Sequence, residues 1–251
     1  MPKITPYVSC EFAVRPFIRE NEGKMMKIML DWATSPDEHL RRLASEGCRP
    51  MLPWTAALPK FKENPSPILP ILENLKADDS LYVRKSVANN LNDISKNQPE
   101  LVIEIAKRWY GDNKNTDWIV KHATRTLLKK GNPEALSIFG YEHGHEFVIE
   151  DFNVEPKIVQ KDGNIEFAFT IKVDEPKKVR LEYAIDFMKK NGKLNRKVFS
   201  ISEGLFETDR SYDKKHSLKD MSTRKHHVGL HRLALIVNGI ERELVEFELE
   251  G

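Results

Sequence analysis

A polar segment near residue 90 is the strongest candidate for chemistry. Short side chains crowd one predicted helix there, and such side chains compete with the helical backbone for hydrogen bonds. A helix that gives up local stability in this way is typical of a functional site, with Asp93 as the candidate carboxylate. The alternative is an asparagine ladder that binds neighbouring loops, and the residues alone leave both open. The segment comprises Ser86, Asn89, Asn90, Asn92 and Asp93.

Basic side chains in the same half are candidates for binding nucleic-acid phosphates. Arg84 and Lys85 lie near the start of the polar helix. Lys121 and Arg125 are four residues apart, which places them on one face of a predicted helix, and Trp118 precedes them. Such a face predicts phosphate contacts along the helical domain, and a solvated helix face is the alternative.

A second basic cluster lies in a loop-like stretch before the last predicted strands. Its charge predicts a loop that enters or straddles the groove of a nucleic acid. Asp213 and Asp220 dilute the charge, so a polar surface loop is the alternative. The cluster comprises Lys214, Lys215, His216, Lys219, Arg224, Lys225, His226 and His227.

Composition excludes several classes of protein. The chain has 251 residues, 40% hydrophobic and 31% charged, with a net charge of +2, which fits a soluble globular protein. No apolar stretch approaches the roughly 18 residues of a membrane helix, and the N-terminus carries no secretory signal. Two cysteines, Cys10 and Cys48, are too few for a disulfide framework and predict a protein of the reducing cytoplasm.

No metal site or cofactor is predicted from the motifs. His227 and His231 share a strand face, but they are too far apart for one ion without further ligands, and no cysteine is near. The sequence also contains no glycine-rich phosphate loop and no serine elbow. The prediction is therefore an activity that needs neither a metal nor an organic cofactor.

The first half must position these residues on helices. Apolar residues recur three and four apart, and short connections join the segments, as in a HEAT-like solenoid. Ser35-Pro36, Gln98-Pro99 and Asn132-Pro133 place proline at predicted first turns. Periodicity alone fits a helical bundle equally well. Helices are predicted over Lys24–Trp32, Pro36–Ala44, Ile68–Leu75, Leu81–Ile94, Pro99–Trp109 and Thr116–Leu128.

After Gly144 the apolar residues alternate with a period of two, which predicts strands. Asp162-Gly163, Asn191-Gly192 and Asn238-Gly239 are hairpin-turn signals. Seven or so short strands in about a hundred residues predict an immunoglobulin-like β-sandwich. The predicted architecture is a multidomain α and β chain, with a HEAT-like α-helical domain over residues 1–143 and the sandwich over residues 144–251.

Several blocks, in this order and spacing, resemble the AlkC family of DNA alkylation repair glycosylases, within the AlkC/AlkD HEAT-like repeat superfamily. The resemblance spans nearly the whole chain. Family members are longer at the N-terminus, so helices upstream of the first block are expected to be missing, in a fragment or in a shortened relative. The blocks are Cys10–Phe17, His39–Pro50 with Leu52–Trp54, Val83–Lys96, Asp117–Gly131, Ser217–His227 and Gly229–His231.

The resemblance implies a monofunctional glycosylase that removes small cationic N-alkylated bases, such as 3-methyladenine and 3-methylcytosine, from double-stranded DNA. It carries the catalytic pocket onto Glu11, Glu46, Trp54 and Asp93. An N3-alkylated base leaves without protonation, so carboxylates are needed to stabilise the oxocarbenium-like sugar and to orient water. Trp54 would attract the cationic base through its ring face. No obligate protein partner and no membrane association are implied.

Taken singly, these residues have simpler explanations. Glu46 pairs with Arg42 if both lie on one helix face. Glu11 alone is typical of a surface glutamate, and Trp54 alone is typical of a loop aromatic that plugs the core. Two other functions remain open: a HEAT-like scaffold that binds DNA or protein without chemistry, and a sandwich that serves as a protein-docking domain.

Overall fold

The computed structural model of the protein describes residues 1–221 and 225–251. The chain forms two compact units, Met1–Lys130 and Gly131–Gly251. Within the described residues, ten α-helices precede eight β-strands. No helix among those residues is long and apolar enough to cross a membrane.

The first unit is helical, as the three-and-four spacing predicts. Its longest helix, α6, buries Val83, Val87, Leu91 and Ile94 along one stripe. Helices α3 and α8 pack against α6, and the polar segment lies on this helix. The helices are α1 (Arg15–Glu20), α2 (Glu22–Trp32), α3 (Glu38–Gly47), α4 (Pro59–Glu63), α5 (Leu69–Asn74), α6 (Leu81–Ile94), α7 (Pro99–Trp109), α8 (Lys114–Ala123) and α9 (Arg125–Lys129).

Helix ends agree with the predicted signals at some positions and differ at others. Both α6 and α7 begin and end at the predicted residues. Pro36 lies before α3 instead of in its first turn, because the Asp37 side chain accepts from the amide of His39 and caps the helix. Asn113 caps α8 by accepting from the amides of Asn115 and Thr116.

The helix predicted over residues 116–128 is interrupted at Thr124, so two helices, α8 and α9, occupy the range where one was predicted. The Thr124 hydroxyl donates to the carbonyl oxygen of Val120 at 2.9 Å, and Arg125 Nη1 donates to the carbonyl oxygen of His122. These side-chain bonds compete with the helical backbone, and the chain turns from α8 into α9.

The second unit begins with α10 (Pro133–Ile138) and continues as two sheets. One sheet has the order β1-β3-β6, and the other has the order β2-β8-β7-β4-β5 with β2 parallel to β8. Between them lies a core that includes Phe169, Leu181, Leu235 and Phe247. The strands are β1 (Ile149–Glu155), β2 (Ile158–Gln160), β3 (Asn164–Ile171), β4 (Lys177–Met188), β5 (Leu194–Phe206), β6 (Arg210–Ser217), β7 (Gly229–Val237) and β8 (Ile240–Glu250).

Two of the three hairpin-turn signals join antiparallel neighbours. Asn191-Gly192 connects β4 to β5, and Asn238-Gly239 connects β7 to β8. Asn238 and Gly239 both have positive φ, at 46° and 79°, the conformation that favours this dipeptide in tight hairpins. Asp162-Gly163 instead joins β2 to β3, which lie in different sheets, so the hairpin predicted there is wrong.

Residues 131–142 belong to the second unit. The Asn238 amide donates to the carbonyl oxygen of Glu142 at 3.2 Å, and Lys178 donates to the carbonyl oxygen of Phe139 at 3.1 Å. Gly131 and Gly239 approach so closely that a Cβ on Gly239 would lie 2.6 Å from the Cα of Gly131. The compact units therefore divide before α10, whereas the sequence places the boundary after it.

Candidate active site

The polar face of α6 binds neighbouring segments, as the asparagine-ladder interpretation predicts. The hydroxyls of Ser86 and Ser45 are 2.7 Å apart, and Asn90 donates to the carbonyl oxygen of Ser45 at 2.8 Å. Asn92 accepts from the hydroxyl of Thr126 at 2.8 Å. These hydrogen bonds connect α6 to α3 and α9. Asp93 is the one charged residue of the polar segment.

Asp93 is buried, with 2% of its side chain exposed, and both of its carboxylate oxygens are paired. Oδ2 accepts from Nε of Arg49 at 2.9 Å. Oδ1 accepts from Nζ of Lys96 at 3.0 Å. The carboxylate is therefore held in one orientation by two cations.

Arg49 connects Asp93 to a second predicted carboxylate, Glu46. Its Nη1 donates to Oε1 of Glu46 at 2.7 Å while its Nε donates to Asp93. Burial alone would lower the pKa of Arg49, but the charges of Glu46 and Asp93 outweigh burial and raise it. The guanidinium thus stays charged and bridges α3 to α6.

Sequence reasoning missed Arg49, although a signal was present. Arg49 follows Glu46 by three residues and directly precedes Pro50. Opposite charges this close in the chain can pair, and the two side chains do so in the buried region that follows α3. The second bond, to Asp93, joins residues 44 apart in the chain, and no local pattern predicts it.

Glu11 joins the same network through Arg42. Nη1 and Nη2 of Arg42 lie 3.3 and 3.4 Å from the Glu11 oxygens. The predicted Arg42–Glu46 pair exists at 3.8 Å, longer than the 2.7 Å pair between Glu46 and Arg49. We call Glu11, Glu46 and Asp93, together with the arginines that link them, the carboxylate cluster.

Trp54 does not plug the core. Its side chain is 97% exposed, and its backbone has a φ of 62°. A bulky residue rarely adopts this left-handed conformation, which costs about 1–3 kcal/mol and clusters at functional sites. The indole therefore faces solvent, whereas a loop aromatic that fills the core would be buried.

Arg15 holds the loop that carries both Arg49 and Trp54. Its Nη1 donates to the carbonyl oxygens of Gly47 and Arg49 at 3.0 and 2.9 Å, and its Nη2 donates to that of Ala56 at 2.9 Å. Arg15 is 2% exposed, and this burial lowers its pKa to about 10. The side chain remains charged near neutral pH and acts as a positioning residue.

Replacing Arg15 by Met is expected to destabilise this loop. Three carbonyls would lose a charged donor, and each such bond contributes about 1.5–3 kcal/mol. We expect the free energy of unfolding in urea to fall by about 3 kcal/mol or more. Arg19→Met is the matched control, because Arg19 is exposed and donates to the carbonyl oxygen of Ala57. Equal losses in the two variants would contradict the positioning role.

Arg84 and Trp118, both predicted to bind DNA, contact neighbouring groups of the helical unit. Arg84 donates to the carbonyls of Asp78 and Asp79, at 2.7 and 2.9 Å, and its guanidinium lies 5.9 Å from the Trp118 ring centre. Trp118 stacks on the half-buried ring of His122 at 5.0 Å.

Three further basic residues were predicted to bind DNA in this region. Arg125 donates to Asn89 at 3.0 Å and lies on α9, so it no longer shares a helix face with Lys121. Lys85 is exposed on α6, and Lys121 is half-buried on α8. The structure therefore commits Arg84 and Arg125 to internal contacts and leaves the ammonium group of Lys85 facing solvent.

The second basic cluster is split between a strand and a loop. Lys214, Lys215 and His216 lie on β6, an edge strand, so the loop-like prediction is wrong for them. Lys215 pairs with Glu166 on the neighbouring strand β3, at 2.9 Å. Exposed and half-buried residues alternate along β6, as expected for a strand. The sequence did not reveal this alternation, because the residues at both kinds of position are polar.

The rest of that cluster follows β6. Lys225 is exposed, whereas His226 is 6% exposed and its ring lies 5.1 Å from that of Phe187. Arg224, predicted to contact DNA, lies outside the described residues. Across residues 1–221 and 225–251, no three or more His, Cys, Asp or Glu side chains are grouped to hold a metal ion.

Comparisons with known proteins agree on one family. A model described as DNA alkylation repair enzyme matches residues 8–127, and a model of the C-terminal Ig-like domain of uncharacterised protein YhaZ matches residues 148–251. The chain is 49% identical to "Uncharacterized protein YhaZ" of Bacillus subtilis (strain 168), over 99% of this chain and 70% of that protein.

A solved structure gives the deciding likeness. The alkylpurine DNA glycosylase AlkC of Pseudomonas fluorescens, bound to DNA containing an abasic site analog, matches with a TM-score of 0.94 and 39% identity, over 98% of this chain and 70% of that one. The chain belongs to the AlkC family of DNA alkylation repair proteins. The predicted pocket residues of the present chain all lie within residues 8–127, the region that the DNA alkylation repair enzyme model matches. They are Glu11, Glu46, Trp54 and Asp93.

Proposed function

We propose that the protein is a monofunctional DNA glycosylase that hydrolyses the N-glycosidic bond of small cationic N-alkylated bases, of the 3-methyladenine and 3-methylcytosine type, in duplex DNA. The observation that carries the proposal is the carboxylate cluster, in which Arg42 and Arg49 join Glu11, Glu46 and Asp93 beside the loop of Trp54. The likeness to a DNA glycosylase supports it.

The chemistry required is the cleavage of one C–N bond. An alkylated base is already cationic, so it departs with the bonding electrons as a neutral molecule and leaves a positive, oxocarbenium-like sugar. A water oxygen then bonds to the sugar carbon and loses a proton to a carboxylate or to solvent. Fixed negative charge stabilises such a transition state, because its orientation is set before the reaction.

We assign roles from this chemistry. Asp93 faces the sugar and the water, and Glu11 and Glu46 add negative potential or hold the base. Exposed Trp54 lies against the cationic base or the deoxyribose, where a cation over an indole gains about 0.5–2 kcal/mol. That contribution favours the alkylated base over its neutral counterpart.

We also propose how DNA is held. Helices α3, α6 and α8 pack in succession in a HEAT-like manner, and exposed Lys85 contacts a phosphate. In the second unit, Lys225, which is exposed, contacts a groove. These contacts would position the duplex without reading its sequence.

The test uses short duplexes that carry a single 3-methylcytosine or an unmodified cytosine. Glycosylase action leaves an abasic site, which alkali converts into a strand break. We expect breaks only in the methylated duplex and only after alkali, because a monofunctional enzyme does not cut the backbone. Breaks without alkali would contradict the monofunctional proposal.

A second candidate function is a DNA-binding scaffold without chemistry. The observation that favours it is the 2% exposure of the Asp93 side chain, whose two oxygens are both paired. The same duplexes separate the candidates. Tight, salt-dependent binding to the methylated duplex with no break after alkali would support the scaffold and contradict the glycosylase.

A further inference from the structure

The two cations that pair with Asp93 differ in how firmly they are held. Arg49 has 9% of its side chain exposed and donates to two carboxylates. Its backbone carbonyl is fixed by Arg15. Withdrawing Arg49 would remove the cation that the buried carboxylates of Glu46 and Asp93 share, so it is a permanent partner of Oδ2.

Lys96 is placed differently. It lies just beyond the end of α6, and 39% of its side chain is exposed. An ammonium on a four-carbon stem has several rotamers and is strongly hydrated, so it can move into water at little cost. Lys96 therefore covers Oδ1 of Asp93 from the solvent side, at 3.0 Å, without being enclosed.

We propose that Lys96 is a displaceable counter-cation that a positively charged nucleotide replaces at Oδ1 of Asp93. The inference rests on the proposed function and explains how the site distinguishes a cationic base from a neutral one. A cationic alkylated base, or the sugar cation formed from it, takes over the interaction that Lys96 gives up. A neutral base does not replace the ammonium, so Lys96 stays on Oδ1 and the neutral base gains no interaction with the carboxylate.

The exchange makes the pocket selective without a contact that recognises the alkyl group. Arg49 keeps the carboxylate oriented throughout, and only Oδ1 changes its partner. Lys96 is therefore a specificity-determining residue, distinct from the residues that contact the reacting bond. Removing its charge should favour cationic ligands over neutral ligands of the same shape.

The test measures binding to two duplexes that differ at one nucleotide. One carries a tetrahydrofuran abasic-site analogue, which is neutral, and the other carries a pyrrolidine analogue, which is cationic. The ratio of their dissociation constants reports the charge preference and cancels any shared loss of DNA affinity. The variants are Lys96→Met, Lys96→Arg and the matched control Lys76→Met, in which the lysine pairs with Glu73 at the same spacing but the carboxylate is 41% exposed.

We expect Lys96→Met to raise the preference for the cationic duplex about threefold to fivefold, the scale of one partly exposed ion pair. Lys96→Arg and Lys76→Met should keep the wild-type ratio. An unchanged ratio in Lys96→Met, with both duplexes weakened equally, would show a phosphate contact and overturn the inference. This outcome is distinguishable from failure of the proposed function, which would appear as no alkali-dependent break by the wild-type protein.

Discussion

Replacing Asp93 by Asn is expected to slow base release by about a hundredfold or more, the scale of losing one preorganised group that stabilises a transition state. Asn keeps the shape of Asp, and its carbonyl oxygen can still accept from Nε of Arg49. The negative charge facing the sugar is lost, so the oxocarbenium-like state is no longer stabilised. Single-turnover rates on the duplex with one methylated base measure the effect.

The matched control is Asp78→Asn. Asp78 has 5% of its side chain exposed and accepts from Nε of Arg41 at 2.6 Å, so it is also a buried carboxylate paired with arginine in the helical unit. It lies outside the carboxylate cluster, and its neutralisation should change stability more than rate. A full wild-type rate in Asp93→Asn, or equal loss in both variants, would contradict the role of Asp93.

Replacing Arg49 by Met is expected to lower the free energy of unfolding by about 3–5 kcal/mol, because it leaves two buried carboxylates without their shared cation. Glu46 and Asp93 lie 2.7 and 2.9 Å from the guanidinium nitrogens. Urea denaturation of the wild type and the variant measures the change.

A double variant separates charge from packing. In Arg49→Met with Asp93→Asn, one of the two carboxylates that lost their shared cation is neutralised, so part of the lost stability should return. Additive losses would contradict the claim that Arg49 compensates the charge of Asp93. A loss below about 1 kcal/mol in the single variant would show that water replaces the guanidinium readily.

Local patterns predicted much of the fold because the forces behind them act locally. The apolar stripe of α6 and the Asn238-Gly239 hairpin depend on residues close in sequence. Strand β6 was missed because its alternation carries lysines and a histidine instead of apolar residues. The break at Thr124 was missed because a threonine alone does not stop a helix.

The site was less predictable, because its geometry comes from contacts between distant segments. The polar crowding around Asp93 identified the helix, but the bond from Arg49 spans 44 residues and has no local signature. The same polar crowding also had a structural cause, since Asn90 and Asn92 fasten α6 to its neighbours. The exposure of Trp54 depends on a positive φ in a loop held by Arg15, which the sequence does not display.

The central claim is tested most directly by free bases released from methylated duplex DNA, separated by chromatography and identified by mass. The wild-type protein is expected to release 3-methyladenine and 3-methylcytosine and no unmodified base, while Asp93→Asn releases little of either. No released base from the wild-type protein, while it still binds the methylated duplex, would contradict a glycosylase and leave the carboxylate cluster as part of a scaffold.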